Sequence, residues 1–261
     1  MVGCLSLCDL PPWVVGSRQF NDDPQPLLFQ GTHRADRFLF ERLDTIDDQR
    51  TRAEIFDDYM SVKFYLHQWS EESQPARRSI KNSYVRFLRG WGVDSNLVEG
   101  AVLKGWVESR FGILPNYHKR PIRETNEEDY TPYEIDRMRG HSRTNSIHEQ
   151  LDLLYRYVQY ELARTDADRR WLTLYRGTYD TQEHRVTERV TKRLYYVRLN
   201  NLCSFTANPE RAWEFGTTVW SVQVPVCKVF FYGDLLPRTI LKGEDEYLVI
   251  GGEFRVTEVP G

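Results

Sequence analysis

Along roughly the first 165 residues, apolar side chains recur at helical spacing. Ile55, Tyr59, Val62, Leu66 and Trp69 follow alternating steps of four and three, the repeat that lines one side of an α-helix. A second helix is expected from about Ser95 to Phe111, after the break at Arg89-Gly90-Trp91-Gly92. A third is expected to open at Ser146, whose hydroxyl suits a capping box with Glu149, and to run through Ile147, Leu151, Leu154, Val158 and Leu162. Between the last two, Lys119 to Arg143 holds Pro121, Pro132 and Gly140 among many charges and few aliphatics, and reads as a long surface connection.

From Trp171 the period changes. Leu172 to Tyr175, Leu194 to Leu199, Val219 to Val226, Lys228 to Tyr232, Tyr247 to Ile250 and Glu253 to Val259 are short β-branched and aromatic runs, the composition of strands. One short helix is expected among them, since Asn208-Pro209-Glu210 supplies a cap, a first-turn proline and an acidic first turn, with Gly216 as its stop. Helices first and strands afterwards predict an α+β fold rather than a doubly wound parallel sheet. The expected division is a mainly helical region at 1–165 and a β-rich region at 166–261.

Composition narrows the function. With 261 residues, 40% hydrophobic and 28% charged, the chain can bury a substantial core and lies away from the signature of disorder. Lys plus Arg total 35 against 38 for Asp plus Glu, a net charge of -3, which argues against nucleic-acid wrapping. No apolar run approaches the roughly 18 residues of a membrane span. Met1 to Trp13 lacks the basic and apolar segments of a secretory signal, so a cytoplasmic location is expected. Cys4, Cys8, Cys203 and Cys227 are read as reduced thiols, Cys4 and Cys8 being a minor candidate for a labile pair. The histidines at 33, 67, 118, 141, 148 and 184 lack metal-site spacing and are read as surface or packing residues. Phosphate-loop, dinucleotide-loop, nucleophile-elbow and zinc-protease motifs are absent.

Three segments of the β-rich half put polar groups on or beside strands, where a rigid scaffold can aim them: Tyr175-Arg176-Gly177, Ser204-Phe205-Thr206 and Glu244-Asp245-Glu246. Singly, each has an ordinary reading as an edge residue, a strand or a turn. Their order resembles the Arg-Ser-Glu signature of mono-ADP-ribosyltransferases, enzymes that transfer ADP-ribose from NAD. Arg52-Ala-Glu-Ile-Phe-Asp-Asp-Tyr-Met60, Phe87-Leu-Arg-Gly-Trp-Gly-Val-Asp-Ser95 and Gly100-Ala-Val-Leu-Lys-Gly-Trp-Val-Glu-Ser-Arg-Phe-Gly112 look like the branch that modifies dinitrogenase reductase, the nitrogenase iron protein. That resemblance implies an arginine acceptor on the iron protein, a switch-off of nitrogen fixation, and a PII-type nitrogen-sensing protein as regulator. The helical region, too large to be mere decoration of an NAD-binding core, is expected to serve the NAD site and partner recognition.

Given the resemblance, each residue has an expected task. Glu246 would bond the nicotinamide-side ribose and stabilise the positive charge that grows as the glycosidic bond breaks. Glu244 would orient the acceptor guanidinium and draw off its proton. Arg176 would hold the NAD phosphate or adjoining ribose, and Gly177 would let main chain approach the nicotinamide amide. Ser204 would brace Glu246 or the ribose. Asn201 and Phe215 are candidate nicotinamide contacts, Phe215 by stacking. Thr206, where many relatives carry serine, has no task assigned beyond its strand. The competing expectations are an NAD glycohydrolase using water as acceptor, and a non-catalytic module that keeps the fold.

Overall fold

The computed structural model describes residues 7–29, 35–66, 83–118, 120–122, 127–142, 144, 146–179, 184–237, 241 and 245–261. Two short helices, α1 (Pro12–Val15) and α2 (Arg18–Asp22), lie on the sheet formed by the C-terminal half. There the Glu253 N–H donates to the Gly16 carbonyl and Asn21 Nδ2 donates to the Glu253 carbonyl. The helical layer follows as α3 (Arg37–Asp44), α4 (Gln49–Lys63), α5 (Tyr84–Trp91) and α6 (Val98–Phe111). A small hairpin of β1 (Asn116–Tyr117) and β2 (Arg120–Pro121) precedes α7 (Glu127–His141) and α8 (Ile147–Thr165).

The helix expected around Ile55 is α4, but it is rotated from the expected face. Its buried line is Arg52, Ala53, Phe56 and Met60, while Val62 is 74% exposed; Trp69 lies outside the described residues. Arg52 can enter the core because Glu161 of α8 receives its Nε and Nη2 at 2.7 and 2.6 Å. A guanidinium met by a carboxylate is tolerated inside where a lone one is not. A count of apolar side chains does not register such a pair.

The surface connection expected over Lys119 to Arg143 is largely the helix α7. Its inward side is made of tyrosine, arginine and glycine in place of aliphatics. Fully buried Tyr133 donates its hydroxyl to Glu108 Oε2 of α6 at 2.6 Å, and Arg137 donates to the same oxygen at 3.1 Å. A Cβ on Gly140 would lie 2.3 Å from Val102 and one on Gly105 would lie 2.5 Å from Arg137, so the two helices meet at their smallest residues. These contacts offset Pro132 within α7, which costs about 3 kcal/mol in a helix interior. The capping box expected at Ser146 does not form either. Ser146 has left-handed backbone, φ 50°, and its side chain does not cap α8.

The second half forms β3 (Trp171–Thr178), β4 (Arg185–Arg189), β5 (Leu194–Arg198), β6 (Leu202–Thr206), the short helix α9 (Pro209–Trp213), β7 (Thr218–Pro225), β8 (Val229–Tyr232), β9 (Glu246–Ile250) and β10 (Glu253–Glu258). Asn208 caps α9 as expected, its side chain accepting from the N–H groups of Glu210 and Arg211. The strands make one eight-stranded antiparallel sheet in the order β4-β5-β10-β7-β3-β6-β9-β8. The fold is α+β.

One junction in that order is unlike the rest. β3 pairs with β7 from Trp171↔Pro225 to Thr178↔Thr218, but with β6 only at Tyr175↔Thr206. The sheet therefore splays between β3 and β6, leaving side chains to fill the space that backbone hydrogen bonds would otherwise close. A continuous core joins both halves of the chain, with Trp106 of α6 packed between Phe29, Phe111, Tyr155 and Phe230.

Candidate active site

A cleft of about 490 Å³ opens at the splay between β3 and β6. Arg176, Gly177, Ser204, Thr206, Phe215 and Glu246 all line it. Residues up to 70 positions apart in sequence thus meet in one cavity because β3, β6 and β9 are consecutive in the sheet.

Arg176 spans the splay. Its Nη1 donates to the Ser204 carbonyl at 2.7 Å, and its buried Nε has no protein partner among the described residues. A guanidinium tied at one nitrogen and unsatisfied at another is held in place with donor capacity to spare, the condition for receiving an anion. Glu246 stands opposite Thr206 in the β6–β9 ladder, where Ser204 is opposite Leu248. Because side chains alternate along a strand, Ser204 and Glu246 share a face and lie on a diagonal. Burial pushes the Glu246 carboxyl above its ordinary value, while a hydrogen bond with the Ser204 side chain pulls the other way without cancelling that shift.

Gly177 is required by close approach. A Cβ there would fall 2.0 Å from the Ala212 carbonyl oxygen of α9, and one on Gly216 would fall 2.2 Å from the Thr178 nitrogen. β3 and the end of α9 therefore touch backbone to backbone, which presents main chain to the cleft. Phe215, just beyond α9, is 60% exposed at the cleft's edge, an uncovered aromatic face suited to stacking. Thr206 has a local structural task, since its hydroxyl accepts from the Asn208 N–H at 3.1 Å and so anchors the start of α9.

Asn201 does not join this group. It is fully buried and outside the cleft lining, with Nδ2 donating to the carbonyls of Lys104 and Ile113 at 2.8 and 3.0 Å. Its Nδ2 ties the start of β6 to α6 and the chain beyond it, away from the cleft lining. Glu244 lies outside the described residues.

The cleft also holds groups that the Arg-Ser-Glu order does not reveal. Trp91, the last residue of α5, donates from Nε1 to Ser204 Oγ at 2.8 Å across 113 residues of sequence. No local signal links the two, although the apolar line of Phe87, Leu88 and Trp91 shows that this indole turns inward. Arg211 of α9 supplies a second guanidinium to the lining, with Glu214 at 3.6 Å. The cap at Asn208 pointed to this short helix directly after the serine strand, so Arg211 was within reach of the sequence. Tyr175 and Tyr179 complete the aromatic lining. Among the described residues, no group of three or more His, Cys, Asp or Glu side chains is placed to hold a metal ion, and no helix is long and apolar enough to cross a membrane.

An arginine, a serine and a desolvated glutamate converging on one cleft of a splayed antiparallel sheet fit the mono-ADP-ribosyltransferase class. The comparisons narrow it. A family model described as dinitrogenase reductase ADP-ribosyltransferase matches residues 5–258, and the chain belongs to that family. It is 41% identical over 256 residues to the NAD(+)--dinitrogen-reductase ADP-D-ribosyltransferase of Rhodospirillum rubrum, covering 96% of this chain and 93% of that protein. No solved structure matches the chain.

Proposed function

We propose that this chain transfers ADP-ribose from NAD to an arginine of dinitrogenase reductase, inactivating it and so regulating nitrogen fixation. The observation that carries the reading is the meeting of Arg176, Ser204 and Glu246 in one cleft. NAD brings a diphosphate, and two guanidiniums line the cleft that receives it, Arg176 and Arg211. The nicotinamide end lies against the main chain at Gly177 and beneath the exposed ring of Phe215, where β3 and the end of α9 meet backbone to backbone.

The bond that breaks joins C1′ of the ribose to the nicotinamide nitrogen, and its electron pair leaves with the neutral base. Positive charge grows on the ribose as this happens. The Glu246 carboxylate stabilises it at close range in a half-buried setting, where an opposite charge counts for more than in water. A nitrogen of the acceptor guanidinium then forms the new bond to C1′. That guanidinium is protonated at neutral pH and is a poor nucleophile until a proton is removed, the task proposed for Glu244 two residues before Glu246. A PII-type nitrogen-sensing protein is the proposed regulator, and direct binding of the purified regulator to the full chain tests that part.

The main test is label transfer from labelled NAD onto purified dinitrogenase reductase, followed by mapping of the modified side chain. The wild-type chain labels one arginine. Glu246→Gln lowers the transfer rate by roughly 10²–10³-fold while retaining NAD binding, the size of loss typical of a removed transition-state contact. Glu244→Gln loses arginine labelling but keeps some NAD hydrolysis. Nicotinamide release with no label on any protein would convert the reading to an NAD glycohydrolase. Near-normal transfer by Glu246→Gln would remove Glu246 from the chemistry.

A further inference from the structure

The helical half supplies a side chain to the cleft, and its geometry makes that side chain more than packing. Trp91 is 6% exposed, and its Nε1 reaches Ser204 Oγ at 2.8 Å. An indole N–H donates and never accepts, whereas a serine hydroxyl does both and rotates to suit its neighbours. With an acceptor site of the Ser204 oxygen occupied by the indole, the serine proton is directed elsewhere, and Glu246 is the carboxyl that shares its face of the sheet on the neighbouring diagonal.

We infer that Trp91 is a positioning residue for this reaction, one that orients the Ser204 hydroxyl so that it donates to the ionised Glu246 carboxylate. The inference rests on the proposed role of Glu246. It assigns to α5 a part in the chemistry of a site otherwise built by β3, β6, α9 and β9. The consequence is directional. When the indole donor is lost, Ser204 is free to turn and accept from a protonated Glu246, which favours the neutral acid and adds to the effect of burial.

Among the described residues, the other charged side chains that line the cleft with Glu246 are Arg176 from β3, Arg211 from α9 and Asp245 beside it. On the helical side, Lys104 of α6 lies behind the indole, its Nζ 5.8 Å from the ring centroid. Replacing only the indole N–H leaves all four in place.

The experiment is a double-substitution cycle on the full chain, read by label transfer from NAD to purified dinitrogenase reductase across pH. Trp91→Phe should lower kcat by roughly tenfold, the rate equivalent of one hydrogen bond, with little change in KM for NAD. It should also move the acid limb of the kcat profile to higher pH. In a Ser204→Ala background, Trp91→Phe should have no further effect on either quantity. A second variant carries β-(3-benzothienyl)alanine at position 91, which exchanges the N–H for sulfur in a ring of the same shape and should reproduce the Phe result without loosening the core. Equal effects of Trp91→Phe with and without Ser204, or an unmoved acid limb, would overturn the inference while leaving the proposed function intact. Near-normal activity of Ser204→Ala alone would overturn it together with the assigned role of Ser204.

Discussion

In the helical layer, three arginines meet carboxylates: Arg52 faces Glu161, Arg110 holds Asp152 through two hydrogen bonds of 2.8 and 2.7 Å, and Arg137, with Tyr133, converges on Glu108. Along the cleft the same residue types stay incompletely matched. Among the described residues, Arg176 keeps a buried Nε without a protein partner and Glu246 is desolvated with no ion pair to a guanidinium. The helical layer spends its charges on holding the fold, and the splayed sheet holds its charges available for a ligand. Functional groups left unsatisfied lower stability, and a well-paired scaffold around them keeps the cost tolerable.

The contrast is broken most forcefully in the helical layer. Arg52 and Glu161 have side chains 6% and 1% exposed, so removing one partner strands the other charge inside. Arg52→Met should destabilise the chain by about 3–5 kcal/mol, measured by urea unfolding, while the transfer rate per folded molecule stays near wild type. The pair Arg52→Met with Glu161→Leu should recover most of the stability, because an apolar pair of similar volume carries no stranded charge. A fall in activity per folded molecule that matched the fall in stability would show that this layer does more at the cleft than hold it.

A smaller effect is expected at the cleft itself. Gly177→Ala places a Cβ 2.0 Å from the Ala212 carbonyl oxygen, a backbone atom with no rotamer to give way. Overpacking of this kind costs about 1–3 kcal/mol. Because β3 and α9 must part to accept the methyl group, KM for NAD should rise by more than kcat falls. An unchanged KM beside a lowered Tm would mean that the close approach serves the fold alone.

These two sites also show what was legible in the sequence. The strand bearing Arg176 could be read because Leu172, Thr173, Leu174 and Tyr175 alternate aliphatic with polar or aromatic side chains, and the order Arg176, Ser204, Glu246 survives any detail of packing. Strand β4 was not anticipated, since Arg185-Val-Thr-Glu-Arg189 is a polar edge with little burial to imprint a pattern. α7 was hidden for a related reason. Its inward residues are Tyr133, Arg137 and Gly140, which a scan for aliphatics and turn formers reads as a loop, although together they pack against Glu108 and Val102. Asn201 sat three residues before Ser204, yet sequence distance cannot show that its Nδ2 donates to the carbonyls of Lys104 and Ile113. Trp91 was hidden most deeply, because its partner lies in the other half of the chain. Pairings made across the core leave no local trace.

The smallest expected effect is the one that measures the contrast most directly. Burial raises the Glu246 carboxyl above its ordinary value, so the folded chain holds this proton more tightly than the unfolded chain does. Below the ordinary carboxylate range both states are protonated, and Glu246→Gln should leave stability unchanged. As pH rises through the window between the ordinary and the raised value, the unfolded state ionises first and the wild type loses stability. Above that window the loss is complete and constant. Glu246→Gln should therefore unfold at a slightly higher Tm than wild type at neutral pH, with the gain shrinking to nothing on acidification, even though the same substitution removes most of the transfer activity. A variant that is less stable than wild type at neutral pH would mean that the Ser204 hydrogen bond outweighs burial and that Glu246 is a satisfied group, no different in kind from Glu108 or Glu161.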